Sequence, residues 1–243
     1  MRRIALALLF ALTPLPAFAI VGGAGAPNEI AAQTVLIVST RGASCSGAVL
    51  SRELILTAAH CVAPQSNYAI AIVEGASPRL LPVASVILHP GFDPAQFKTR
   101  RPTPDLALLK LSEPLPARYR AARLSTDAAL PRPGDPFMLA GFGIAAEGNE
   151  RSAGTLRTLT LPAVGTTGGI MVRLSLAAAT PAGACTGDSG GPVFKNGALA
   201  AVIGWTTGPK GPGCGLVTGA TLVAIQRAWI ESTAGVLGSR LGD

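Results

Sequence analysis

Short apolar runs, each closed off by turn-forming residues, recur along this chain at roughly ten-to-fifteen-residue intervals. In the first half they are Val35 to Val38, Leu54 to Leu56, Ile70 to Val73, Val83 to Leu88 and Leu106 to Leu111. After a polar interval they resume at Phe137 to Leu139, Leu156 to Val164, Ile170 to Leu176 and Leu199 to Ile203. Runs this short, rich in Val, Ile, Leu and Thr, predict strands, and their number predicts an all-β barrel or sandwich pattern in two halves. The interval Arg118 to Asp135, dense in Pro, Arg and Asp, is the expected linker. The final segment departs from this pattern. Between Thr221 and Glu231, the positions of Leu222, Ile225, Trp229 and Ile230 approach helical spacing, which predicts an amphipathic C-terminal helix docked on the second half. There is no internal repeat and no low-complexity tract.

Composition sharpens the picture. Of 243 residues, 49% are hydrophobic and only 14% charged, with 29 Gly and 20 Pro. A chain this apolar can offset its ordering entropy, so an ordered globular protein of one large domain or two small ones is expected. The start stands apart. Arg2 and Arg3, the apolar run Ile4 to Leu12 and the small-x-small end Ala17-Phe18-Ala19 have the three-part layout of a secretory leader. The apolar run is short for a bilayer span and is followed by Pro14 and Pro16, which weighs against a retained anchor. A mature protein outside the cytoplasm, extracellular or periplasmic, is therefore expected.

The four cysteines suit that address and allow three pairings. The simplest joins Cys45 with Cys61 and Cys185 with Cys214, each pair local to its own half. In an oxidising compartment each bridge would stabilise the fold by roughly 3 kcal/mol. Zinc is the weaker alternative, because the sequence has neither C-x-x-C spacing nor a His-x-x-x-His pattern. The formal charge is +7, or +5 without Arg2 and Arg3. Its basic residues are scattered and no nucleic-acid motif accompanies them, so the charge reads as solvated surface.

Candidate chemistry is concentrated in Cys185-Thr186-Gly187-Asp188-Ser189-Gly190-Gly191-Pro192. A nucleophilic serine needs an exposed hydroxyl and donors aimed at the developing oxyanion. Glycines around Ser189 let the backbone turn tightly, so the N–H groups of Gly187 and Ser189 can converge. The hydroxyl also needs a general base. After the leader only His60 and His89 are available. His60 ends the strand-like Leu54-Ile55-Leu56-Thr57 and precedes Cys61, whereas His89 stands before Pro90 and Gly91 in an apparent turn and reads as structural. The base in turn needs a carboxylate to fix its tautomer. Asp105 opens the apolar Leu106-Ala107-Leu108-Leu109-Lys110-Leu111, where burial beside a histidine is feasible; the rival Asp93 lies in a Pro/Gly turn.

Thr57-Ala58-Ala59-His60-Cys61, Asp105-Leu106-Ala107-Leu108 and Gly187-Asp188-Ser189-Gly190-Gly191-Pro192 resemble the three signature segments of trypsin/chymotrypsin-like serine proteases, in that family's order. Ile20-Val21-Gly22-Gly23 resembles its mature N-terminus, and Ala140-Gly141-Phe142-Gly143 its glycine-aromatic-glycine turn. The resemblance extends over essentially all of residues 20 to 243. It implies two antiparallel six-stranded β-barrels packed face to face with a C-terminal α-helix, and the active site between them. Residues 20–126 would form the barrel carrying His60 and Asp105, and 127–243 the barrel carrying Ser189, after a leader of 1–19. It further implies attack by Ser189, proton transfer through His60, orientation of His60 by Asp105 and an oxyanion hole from the N–H groups of Gly187 and Ser189. Both local disulfides fit the family. The amine of Ile20 would pair with Asp188, and since Ala19 ends the leader, leader removal itself would release that amine.

The resemblance also bears on specificity. The base of the specificity pocket would be Gly183, six residues before Ser189, and with no acidic residue there cleavage after Lys or Arg is not expected. Gly204, Trp205, Thr206 and Thr218 would form the remaining walls. Two threonines would narrow the pocket in an elastase-like way and favour small aliphatic residues. Gly204 stands where many relatives have a serine supporting the triad aspartate. The stretch Tyr68 to Val83 offers only Glu74 as a carboxylate, which disfavours a calcium loop. No cofactor, no metal, no nucleic acid and no membrane contact after leader removal are expected. The expected partners of this monomer are protein or peptide substrates and protein inhibitors. Competing readings are a binding protein that keeps the fold without the activity, and an esterase using the same residues.

Overall fold

The computed structural model describes residues 20–64, 66–74, 77–99, 101–176, 181–209, 211 and 213–242. The leader-like segment 1–19 lies outside the described residues. Six strands form a first closed barrel: β2 (Thr34–Ser39), β3 (Ser44–Ser51), β4 (Leu54–Thr57), β5 (Tyr68–Glu74), β6 (Ser77–Leu88) and β7 (Ala107–Leu111), in the order β2-β3-β4-β7-β6-β5. A second set comprises β8 (Pro136–Gly141), β9 (Arg157–Thr167), β10 (Met171–Leu174), β11 (Pro192–Lys195), β12 (Ala198–Thr207) and β13 (Val217–Leu222). The pairing of β8 with β9 closes this set into a second antiparallel barrel, and β1 (Ala24–Gly25) adds to the outer edge of β9. Short helices α1 (Asn28–Ala32) and α2 (Gln96–Thr99) decorate the first barrel, and α3 (Arg227–Val236) ends the chain. None of these helices is long and apolar enough to cross a membrane.

Alternating burial and turn chemistry explain most of these elements. Val35, Ile37, Val49, Ile55, Ile70, Leu81 and Leu109 fill the first barrel, and Phe137, Leu139, Leu161, Val172, Val193 and Ile203 the second. A third cluster is shared. Leu50, Leu54, Leu56 and Leu108 meet Phe194, Leu199, Val202 and Ile230, welding the barrels together. Each such side chain stabilises the fold by about 1.5–3 kcal/mol on burial.

The nine predicted runs coincide with strands, but several elements were not visible in the pattern. β3 reads Ser-Cys-Ser-Gly-Ala-Val-Leu-Ser, too small and mixed to stand out as an apolar run. Within the stretch Tyr68 to Val83, 68–74 belong to β5 and 77–83 to β6, and the two strands pair with each other. The terminal helix starts six residues later than expected, because Thr221 and Leu222 belong to β13. β13 is held by ladders to both β10 and β12, and that two-sided pairing overrides the local helical spacing. Ile225, in the 3-10 turn Ala224–Gln226 that leads into the helix, is exposed, while Ile230, Thr233 and Ala234 form the helix's buried face.

Candidate active site

Strand register assembles the first half of the site. β4 pairs with β7 so that Thr57 lies opposite Ala107. The strands are antiparallel, so the residues just after Thr57 and just before Ala107 leave the barrel at the same end. A single 3-10 turn, Ala59–Cys61, carries His60 there. The Asp105 carboxylate reaches it twice: Oδ2 lies 2.7 Å from His60 Nδ1, and Oδ1 accepts the His60 backbone N–H at 2.9 Å. Asp105 is 1% exposed and His60 about a quarter exposed, so the ring's far nitrogen remains approachable while its near one is fixed. The Cys45–Cys61 disulfide ties the next residue to β3. Phe97 of α2 packs edge-on against the His60 ring at 5.3 Å.

The Ser189 segment comes from the second barrel and is sewn to the first by Ser46. The Ser46 N–H donates to Ser189 O at 2.8 Å, and its hydroxyl donates to Gly187 O at 2.9 Å while accepting the Phe142 N–H at 3.0 Å. Its carbonyl accepts the Thr57 hydroxyl at 2.8 Å. A residue with four hydrogen bonds and no exposed surface was absent from the sequence reading. No spacing rule marks a serine after a cysteine, so only the fold could reveal it. Gly190 (φ +79°) permits the approach: a Cβ there would stand 2.0 Å from Thr57 Oγ1 and 2.3 Å from Ser46 O. The turn holding Ser189 is thereby pressed onto the strand that delivers His60. Among the described residues, Ser189 Oγ makes no hydrogen bond, to His60 or otherwise, and the N–H groups of Gly187 and Ser189 have no acceptor. Gly187 has φ +95° and packs its α-carbon on Gly143.

Asp188 points the other way, into the protein. Its side chain is fully buried, with Oδ1 accepting the Gly143 N–H and Oδ2 the Cys185 N–H, both at 2.8 Å. Desolvation pushes its pKa up to about 7, against the opposing pull of those two N–H donors and of Arg157. Ile20 is buried among Phe137, Leu139 and Ala184, and Val21 bridges to Gly183, whose N–H donates to Val21 O at 3.0 Å. Ile20 and Val21 are thus packed beside the segment leading to Asp188.

The predicted pocket residues also converge. Thr206 and Thr218 face each other across the β12–β13 ladder. Both hydroxyls grip Ala184, Thr206 donating to its carbonyl at 2.9 Å and Thr218 accepting its N–H at 3.0 Å. A Cβ on Gly183 would stand 3.2 Å from Thr218 Oγ1, so the threonine overhangs that glycine. Trp205 lies flat enough on Gly219 that any side chain there would strike its indole, a requirement the sequence did not signal. The α-carbon of Gly204 faces Asp105 Oδ2. A groove of about 1030 Å³ is lined by Ser44, Ile144, Glu147, Arg151, Thr186 and Cys214.

The remaining candidates fall elsewhere. His89 accepts the Gly91 N–H at 3.0 Å, packs at a tilt against Trp229 and has its pKa lowered by burial, in keeping with a structural turn. Asp93 accepts the Ala95 N–H. Cys45, His60 and Cys61 cluster within 4.8 Å, but the two sulfurs are bonded to each other and offer no thiolate for a metal. The second disulfide joins Cys185 and Cys214.

Known proteins resemble this chain in sequence and fold. The family model described as Trypsin matches residues 20–230. Trypsin alpha-4 of Lucilia cuprina is 29% identical over 209 residues, covering 79% of this chain and 78% of that protein. Trypsin-3 of Salmo salar is 28% identical over 206 residues, covering 78% and 82%. Among solved structures, neuropsin, a serine protease expressed in the limbic system of mouse brain, superposes with a TM-score of 0.71 at 20% identity, covering 88% of this chain and 99% of its own. The structure titled HBP superposes at 0.73 with 23% identity, covering 92% and 99%. Likeness at these identities establishes the fold, and the family match over nearly the whole described chain establishes more: the protein belongs to the trypsin family of serine proteases.

Proposed function

We propose that the chain is a secreted serine endopeptidase that cuts after small aliphatic residues through Ser189, His60 and Asp105. The observation carrying this reading is the double hydrogen bond from His60 to a buried carboxylate, beside a turn whose N–H groups are unengaged. Asp105 holds the imidazole with its proton on Nδ1, leaving Nε2 as the base. Ser189 Oγ attacks the scissile carbonyl carbon as its proton passes to Nε2. The carbonyl π electrons move onto oxygen, which the Gly187 and Ser189 N–H groups receive. Collapse expels the amine, which takes the proton from His60, and leaves an acyl-enzyme. Water then attacks the ester by the same route in reverse and regenerates Ser189.

The burial of Ile20 in one cluster with Ala184, four residues before Asp188, supports the activating role expected of its amine. Ile20 has φ +48°, uncommon for a β-branched residue because the preceding carbonyl crowds its side chain. Cutting the bond before Ile20 removes that crowding. An ammonium there would also stabilise ionised Asp188.

The test is cleavage of a peptide library by protein beginning at Ile20, beside Ser189→Ala. Cleavage after Ala or Val that disappears in the variant is expected. Equal rates in both would exclude the serine mechanism. An inert, correctly bridged protein that also ignores a covalent serine probe would point to the binding-protein alternative.

A further inference from the structure

Arg157 opens β9 directly opposite Gly141 of β8. Residues paired in this way present their side chains on the same face of the sheet. For Gly141 that face leads straight to Asp188: a Cβ built there would stand 2.2 Å from Oδ1 and 2.9 Å from Cγ. Arg157, 8% exposed, is buried on that same face, where its Nη1 also donates to Thr155 O at 3.4 Å. Burial is the larger influence on both groups, lowering the Arg157 pKa and raising that of Asp188, and against it each charge favours the other. From the other elements packed on Asp188, the 140s turn supplies only Gly141 and the Gly143 N–H, and its own segment only the Cys185 N–H. The N-terminal segment brings the apolar Ile20, with an amine only once that is free. Among the described residues, Arg157 is the one side-chain cation acting on Asp188.

An α-amine loses its charge near pH ~8 when unperturbed, whereas a guanidinium remains charged well beyond it. We propose that Arg157 is a positioning residue, a standing counter-charge for Asp188 that holds the Gly187–Ser189 turn in its working arrangement when the Ile20 amine is peptide-bonded or deprotonated. This rests on the serine-endopeptidase reading. On this account the chain is partly competent before the bond ahead of Ile20 is cut, and the amine and Arg157 are overlapping supports for one carboxylate.

The test is a double-mutant cycle at pH 7.5. Chains beginning at Ile20 and at Ala19 are each made with Arg157, R157M and R157K. In the Ile20 form R157M should lower kcat/KM by about 3-fold or less, and in the Ala19 form by at least about 10-fold more, carried by kcat, with R157K restoring part of it. An equal loss in both forms is what a merely structural role would give, and it would overturn the proposal. Should R157M not fold, R157Q takes its place in the cycle. A second readout needs no activity: the Asp188 carboxyl carbon is titrated by NMR in the S189A background, in the Ala19 form. Its midpoint should rise in R157M, and an unmoved midpoint would refute the charge coupling. If S189A hydrolyses as fast as the parent, the endopeptidase reading fails, and the NMR titration alone decides the role of Arg157.

Discussion

Asp105→Asn tests the His60–Asp105 pair with almost no change in shape. In the structure the carboxylate uses one oxygen for the His60 backbone N–H at 2.9 Å and the other for Nδ1 at 2.7 Å. Asparagine has one acceptor and one donor for those two positions. If its carbonyl keeps the backbone N–H, its NH₂ faces Nδ1 and forces the ring proton onto Nε2, where it blocks proton uptake from Ser189. If the amide is flipped, two donors confront each other in a site that is 1% exposed on the carboxylate side, which costs about 1–3 kcal/mol for the unsatisfied N–H. The first arrangement avoids that penalty and should prevail. Loss of the correct tautomer in a serine triad lowers kcat by about 10⁴, equivalent to roughly 5.5 kcal/mol of barrier. KM should change little, because Asp105 lies behind His60 and not in the pocket. The assay is steady-state hydrolysis of a peptide with Ala before the scissile bond, with folding checked by circular dichroism and the urea midpoint. A folded variant retaining more than about a tenth of the parental kcat would show that Asp105 does not govern the base.

Three further outcomes follow from the same geometry. Thr206→Gly with Thr218→Gly should open the pocket and raise the Phe-to-Ala ratio of kcat/KM at least about 10-fold. It should also cost about 1–3 kcal/mol of stability, because the Ala184 N–H loses its acceptor; an unchanged ratio in library cleavage would place specificity elsewhere. In chains that retain residues ahead of Ile20, raising the Asp188 pKa from 3.8 to about 7 means that the folded form keeps a proton the unfolded form has released. That contribution to stability is full below pH 3.8 and declines by roughly 4 kcal/mol as pH rises to about 7. Urea midpoints at pH 4.5 and 7.5 should therefore favour acid in the extended chain more than in the Ile20 form, and parallel behaviour would contradict the burial argument. Gly190→Ala should destabilise the fold by about 3 kcal/mol or more, since φ +79° and the Thr57 and Ser46 atoms both exclude a methyl group; a thermal midpoint like the parent's would show that the turn can relax.

The sequence by itself settled what depends on neighbours along the chain. Strand-length apolar runs marked the barrels, since a strand buried on one or both faces must carry its hydrophobic residues locally. The segments around Ser189, His60 and Asp105 stood out as candidates because glycine turns and side-chain chemistry are written in short motifs. What depends on register was not legible. That Thr57 lies opposite Ala107, bringing His60 and Asp105 within 2.7 Å, is a property of the paired strands and not of either strand. The four bonds of Ser46, the contact of Phe97 with His60 and the alignment of Arg157 with Gly141 all join residues distant in sequence, through polar or aromatic groups that look ordinary where they stand. The start of the terminal helix was misplaced for the same reason: periodicity favoured a helix at Thr221 and Leu222, and two neighbouring strands offered their backbones a ladder instead. Local propensity is worth a few tenths of a kcal/mol per residue, so a paired, buried strand decides against it. Only the tertiary structure holds that information.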